Sequence, residues 1–483
     1  DLNISDTFVQ KLIIKCMIKN YIKYFLPLSI VLFSTLTSCK RVFKEDNFVA
    51  YFGGEVLNPQ EKYVLFLKDD EVIDTIYLDK NNRFMHKFDS LSPGLYTFKH
   101  NPEYQYVYFD KNDSLMVRVN TFDFDNSVVF CGRGDEKNNF LMELYLKNEV
   151  DRSLMYDNFD KDVKSFIKNI DSSFAIRKSF YLKRKAEIGW DENFDVVAKA
   201  SLDFHHITKK EIYPYAHQFR TGENIRTKLP SNYYEHRKDV DFENALLMNY
   251  SPFIKYVSVM LNNVSLQKDH LDLNENSLEN NIEKLNITDT LIKSQKVKNV
   301  VLNNVAMMYL LEDQNMYNNQ KFIERYLQLT TDTKNKQEIT EIYNSVQNLK
   351  VGNRLPNIDL INTAKQPVSI NNAISKPTVL FFWTSHAESH FVASHRKIMD
   401  LQAKYPNYEF IAVNVNDTNA NWENALKKYN FEGIKELHAL DFETIRKKWV
   451  ITKIHRIIVL NADGTIKNGF ANLFDINFEQ NLK

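Results

Sequence analysis

The residues best equipped for chemistry crowd into "FFWTSHAESH", Phe381 to His390, and its continuation to His395. His386, Glu388, His390 and His395 put three imidazoles and a carboxylate close together in the chain. His386 and His390 are four apart, so on a helix they share a face, and zinc or copper can use that spacing. A metal also needs the rest of its ligand set. The local sequence does not complete one, so solvent-facing polar side chains are the preferred reading and no cofactor is expected. His205, His206 and His217 have no metal-site spacing and read as surface or internally satisfied histidines. The aromatic stretch "YYEHRK", Tyr233 to Lys238, reads as packing.

The three cysteines are Cys16, Cys39 and Cys131. From Met17, "MIKNYIKYFLPLSIVLFSTLTSCKR" has a basic start at Lys19 and Lys23, then an apolar run shorter than the roughly 20 residues that span a bilayer. Residues 17–38 are therefore expected to be an export signal, and residues 1–16 an upstream extension. "LTSC" resembles the bacterial lipobox, which implies that Cys39 is acylated and becomes the mature first residue. An uncleaved short anchor, or a signal peptide with a chance cysteine, stays open. A lipid anchor would hold the protein on a membrane, each buried methylene contributing about 0.8 kcal/mol. Cys131 would then be a lone thiol with no disulfide partner. Closing the run "SVVFC", it is expected to be a small buried hydrophobe.

Lys plus Arg equals Asp plus Glu at 62 each, so no net field draws the chain to nucleic acid. With 34 Phe and 25 Tyr against 11 Gly and 11 Pro, the 483 residues describe ordered globular domains.

Three regions must position the candidate residues. Residues 44–133 alternate apolar and polar side chains between turns such as "DKNN" and "SPG", which predicts an antiparallel β-sandwich or barrel. Residues 134–349 change to a period near 3.6, with Asp135 as the expected N-cap of the first helix. Val163, Phe166, Ile167, Ile170 and Phe174 form one apolar face, so this region is expected to be all-α. Residues 350–483 alternate strand and helix patterns, from "PTVLFFW" through "YEFIAVNV" to the hairpin "RIIVLNADGTIK", which predicts a covered α/β sheet. The chain is thus expected to be multidomain.

Gly352 and Pro356, the strand Val379–Trp383, "FIAVNVND" and "VLNADGTI" together resemble the thioredoxin-like domain of TlpA/ResA-type membrane-tethered thiol–disulfide oxidoreductases. The strand-rich block from Phe48 to about Cys131, through "VIDTIYLD", "PGLYTF" and the closing "CGRGDEKNNFL", resembles the N-terminal β-domain found ahead of thioredoxin modules in Bacteroidetes envelope lipoproteins. The resemblance implies a Trp-Cys-x-x-Cys motif at the start of the helix after the first core strand, where the helix N-terminus lowers a thiol pKa. Here Ala387 stands at the nucleophile and His390 at the resolving cysteine. It also implies a cis-proline facing that pair. His455 stands there, and because a non-proline cis bond costs about 2.5–4 kcal/mol, a trans Ile454–His455 peptide is expected. The fold would bring His455 near the helix start, which makes His386, His390 and His455 the candidate metal ligands. No residue is left to expect as catalytic.

These readings describe a membrane-anchored lipoprotein of the cell envelope, facing the periplasm and held by the outer membrane, with a redox-inactive thioredoxin-like module for binding envelope partners. Two alternatives stand beside it, a TlpA/ResA-type thiol–disulfide oxidoreductase and a histidine-based metal binder.

Overall fold

The computed structural model describes residues 48–268, 274–312, 319–429, 431 and 433–483. Cys16, the expected export signal and the expected lipidation site Cys39 lie outside them.

Eight strands build the first unit: β1 (Ala50–Leu57), β2 (Tyr63–Lys68), β3 (Glu71–Tyr77), β4 (Arg83–Phe88), β5 (Gly94–His100), β6 (Glu103–Phe109), β7 (Ser114–Asn120) and β8 (Val129–Arg133). They pair into two four-stranded sheets, ordered β4-β1-β7-β8 and β3-β2-β5-β6. Every pairing is antiparallel except β1 with β7. Alternation points Phe52, Phe66, Phe98, Phe109 and Phe130 between the sheets, all essentially inaccessible. The Phe52 ring lies 5.5–5.8 Å from those of Phe66, Phe98 and Phe109. Gly54 is needed where the parallel pair closes, because a Cβ there would stand 2.1 Å from the Val117 carbonyl oxygen. One expectation fails here: Cys131 is exposed. In "SVVFC" only alternate residues face inward, and Phe130 takes the core position while Val129 and Cys131 point out.

The helical region follows: α1 (Asp135–Ser153), α2 (Val163–Ile188), α3 (Glu192–Thr221), α4 (Ser251–Lys268), α5 (Leu278–Leu291), α6 (Gln295–Glu312), α7 (Asn319–Leu329) and α8 (Thr333–Asn348). The N-cap of α1 is Gly134, at φ 96°, and not Asp135, which opens the helix as an acidic first-turn residue. Phe166 and Ile170 of the expected α2 face are buried with Val163 and Ile167 packed beside them, whereas Phe174 packs against the neighbouring core of Phe140, Tyr181 and Phe194. The β-unit is attached through β6. Tyr108 meets Phe194 at 5.0 Å between ring centres, Tyr106 meets Tyr250 at 4.9 Å, and Tyr106 Oη accepts from the Ser251 amide.

Of the three histidines expected to be satisfied, His205 bonds Asp151 at 2.9 Å and His217 the Phe159 carbonyl at 2.8 Å, whereas His206 lies 3.3 Å from Asp171, stacks on Phe174 at 4.3 Å and keeps Nδ1 buried without a partner. "YYEHRK" is packing, as expected. Tyr233 is buried, and His236 and Arg237 close on the inaccessible carboxylate of Glu211.

The C-terminal unit is one seven-stranded sheet, ordered β10-β9-β13-β12-β11-β14-β15. Its strands are β9 (Asp359–Asn362), β10 (Pro367–Ser369), β11 (Thr378–Trp383), β12 (Glu409–Asn414), β13 (Lys435–His438), β14 (Arg456–Leu460) and β15 (Ile466–Asn472). β11, β12 and β13 run parallel and the remaining pairs antiparallel. Every residue of β11 is buried because both faces are covered. Val379, Phe381 and Trp383 meet α9 (Glu388–Lys404) and α10 (Asn419–Lys428), whereas Leu380 and Phe382 meet α11 (Phe442–Lys448) and the end of α8. Val346 and Leu349 belong to that second core, so it continues across the boundary expected at residue 350. Among the described residues no helix is long and apolar enough to cross a membrane.

Candidate functional site

The candidate residues lie at the C-terminal end of β11. The strand leaves the sheet at Trp383, makes a single 3-10 turn over Ser385–Ala387 and enters α9 at Glu388. His386 therefore lies on the turn and His390 in the helix, so the four-residue spacing does not give them a common helical face.

Asp417 fixes the turn. Asn416, at φ 58°, reverses the chain after β12 and returns the Asp417 side chain to the turn, where it is 0% exposed. Its carboxylate accepts from the Ser385 amide at 2.7 Å, from the Ser385 hydroxyl, and from the Asn414 side-chain amide at 2.6 Å. His386 Nε2 is 3.4 Å from the same carboxylate. Asn414 Oδ1 in turn meets His438 Nδ1 at 2.7 Å, and the His438 ring stacks on Trp422 at 4.9 Å. Ser385, His386 and Asp417 are the residue types of an acyl-transfer triad. Here, however, both Ser385 and His386 address the acid, and the imidazole is not placed to take the serine proton.

Beneath the helix lies a second network. His395, with a fully buried side chain, bonds the Phe391 carbonyl through Nδ1 at 2.8 Å and Glu436 through Nε2 at 2.9 Å. Trp383 Nε1 donates to the other Glu436 oxygen at 3.1 Å. Burial pushes the Glu436 carboxyl above the usual carboxylate range, against the bonds from His395 and Trp383. The network fastens β11, β13 and α9 together from below.

At the mouth itself, Ala387 presents a methyl group, and its amide donates to the Thr384 carbonyl at 3.2 Å. His390 packs edge-on against Phe474 at 5.7 Å, and both of its ring nitrogens are buried without a hydrogen-bond partner. Burial, then the neighbouring His455 and His395, lower its pKa, which favours the neutral ring. His455 holds β15 through its carbonyl, which accepts from the Leu473 amide at 3.2 Å. Among the described residues the one cis peptide is Asn101–Pro102, so Ile454–His455 is trans, as expected. The next residue, Arg456, is buried, donates to the Gly469 and Val450 carbonyls and lies over the Phe470 ring at 3.7 Å.

The structure therefore sets His390 and His455 in each other's field and turns His386 away to Asp417. Among the described residues no three His, Cys, Asp or Glu side chains gather to hold a metal. Cys131 lies on the β-sandwich, paired across from Met116. Sequence reasoning missed Asp417, Asn414, Glu436 and His438. The first two stand inside "FIAVNVND", but their role depends on a turn that the sequence does not display.

Residues 375–466 match the Thioredoxin-like family model. No curated protein matches the chain. Among solved structures, the thioredoxin domain of a thiol-disulfide oxidoreductase from Bacteroides vulgatus aligns at 18% identity over 24% of this chain and 86% of its own, TM-score 0.22. A thioredoxin-like protein from Bacteroides caccae aligns at 14% identity over 55% of this chain and 89% of its own, TM-score 0.32. A thiol peroxidase from Chromobacterium violaceum aligns at 16% identity over 24% of this chain and 73% of its own, TM-score 0.22. The C-terminal α/β unit of this multidomain chain is a thioredoxin-like domain.

Proposed function

We propose that the protein is a lipid-anchored component of the cell envelope whose thioredoxin-like domain is a redox-inactive module that binds or scaffolds other envelope proteins. The observation that carries this reading is the start of α9, where a methyl group at Ala387 and an imidazole at His390 occupy the positions a reactive dithiol would need. Disulfide exchange proceeds by thiolate attack on sulfur, and neither group can form or resolve a mixed disulfide. The Asp417 and Glu436 networks support retention of the scaffold, because they keep the mouth rigid without any sulfur chemistry to serve.

Reduction of insulin by dithiothreitol tests this. The protein is expected to leave the rate at background, and acceleration that disappears in Cys131→Ser would overturn the reading in favour of an oxidoreductase. The anchor has its own test: Cys39→Ala is expected to move the protein from the membrane fraction to the soluble envelope fraction.

A second reading, a metal held at the mouth, draws support from the two unpartnered nitrogens of His390 beside His455. It predicts stoichiometric Zn²⁺ or Cu²⁺ binding that is lost in His390→Ala.

A further inference from the structure

The outer face of the sheet β4-β1-β7-β8 carries a row of sulfur that the thioredoxin-like domain does not involve. Strand register aligns Met85 of β4 with Gly53 of β1, Gly53 with Met116 of β7, and Met116 with Cys131 of β8. Because side chains alternate across a strand, all of these positions face the same way, opposite to Phe52, Phe84, Leu115, Val117 and Phe130 in the core.

Gly53 has no side chain, and the thioethers on either side lean in over it. A Cβ there would lie 2.9 Å from Met85 Sδ and 2.9 Å from Met116 Sδ. The two sulfurs are therefore no more than twice 2.9 Å, 5.8 Å, apart. Cys131 is directly across the ladder from Met116, where opposed Cβ atoms are about 4.5–5.5 Å apart. Met116 and Cys131, but not Met85, also line a groove of about 690 Å³ whose other walls include Val129, Glu55, Arg83 and Arg118. The row beyond it is occupied differently, with Glu55 between Arg83 at 3.7 Å and Arg118 at 3.5 Å.

We propose that Met85, Met116 and Cys131 bind one soft monovalent cation of the Cu(I) class. Thiolate and thioether donors select such ions, whereas a hard divalent cation would want oxygen ligands that this row lacks. Methionine, with three rotatable bonds, can close the remaining gap between sulfurs without moving the backbone. Binding needs no redox step: Cu⁺ enters, the Cys131 S–H proton leaves to solvent, and the thiolate–Cu bond replaces the S–H bond.

The test uses the full chain carrying Cys16→Ser and Cys39→Ser, so that Cys131 is its one thiol. Cu(I) is titrated against a chromophoric Cu(I) chelator under anaerobic conditions. One equivalent is expected to be withdrawn from the chelator. Cys131→Ser is expected to abolish binding, and Met85→Leu and Met116→Leu, which conserve volume, to weaken it by tenfold or more each, with unchanged circular dichroism. No withdrawal, or withdrawal lost in Cys131→Ser but indifferent to both leucine variants, would overturn the proposal, the latter as binding by a bare thiol.

Discussion

Replacing Asp417 by alanine would expose how the mouth of the thioredoxin-like domain is held. The carboxylate is fully buried and receives the Ser385 amide at 2.7 Å, the Ser385 hydroxyl and the Asn414 amide at 2.6 Å. Hydrogen bonds to a charged acceptor contribute about 1.5–3 kcal/mol each, and an orphaned buried donor costs about 1–3 kcal/mol. These terms are not additive, because the three donors share one acceptor, so the net loss is set at about 3–5 kcal/mol, the range for removing one partner of a buried charged network. Asp417→Asn keeps the shape and one acceptor oxygen and is expected to lose about half as much. Urea unfolding followed by tryptophan fluorescence gives the total, since Trp383 and Trp422 lie beside the network. Hydrogen exchange at the Ser385 amide gives the local part: a loss of about 3 kcal/mol speeds exchange roughly a hundredfold. A total below about 1 kcal/mol together with unchanged exchange at Ser385 would refute the assignment of Asp417 as the clasp of the turn.

In the helical region, burial opposes the charge of Glu211, but bonds from Arg237 at 2.9 and 2.7 Å and from His236 at 2.8 Å outweigh it and hold the carboxyl below its ordinary range. A depressed folded-state pKa contributes stability above the unfolded value, about 4.3, and that contribution is lost as pH falls through the folded value. Glu211→Ala is accordingly expected to cost about 3–5 kcal/mol at pH 7, with the gap to wild type narrowing below about pH 4; a gap independent of pH would contradict the network. Ala387→Cys combined with His390→Cys is expected to form a disulfide on mild oxidation, since residues three apart at a helix start fall within the roughly 4.4–6.8 Å Cα range of bridged pairs, and to raise insulin reduction above wild type. Thiol counting after oxidation checks the first, and two persistently free thiols would show that the turn is not shaped for the motif.

What could be read in advance follows from the range of the forces involved. The β-sandwich strands, the α2 face and the hairpin of β14 and β15 were legible because alternation, 3.6-residue periodicity and an Asp-Gly turn are local signals. That Ala387 and His390 are not cysteines was legible because it is a statement about two residues alone. The parallel pairing of β1 with β7 was not, since it joins strands distant in the chain. Cys131 was misplaced because "VVFC", Val128 to Cys131, is apolar throughout, and such a run hides which alternate residues face the core. His386 and His390 looked like one helical face because the 3-10 turn between β11 and α9 leaves no mark in composition. Asp417, on the turn after β12, and Glu436 of β13 acquired their meaning only with the tertiary structure.

Val346 and Leu349, the last apolar residues of the helical region, sit in the same core as Leu380, Phe382 and Trp449. A chain cut at the apparent start of the α/β fold would therefore leave a greasy scar where α8 had been, and the severed domain would tend to stick to itself. For the intact molecule the same shared seam is a mechanical joint: whatever loads the helices presses directly on the underside of the sheet that carries the turn at Ser385.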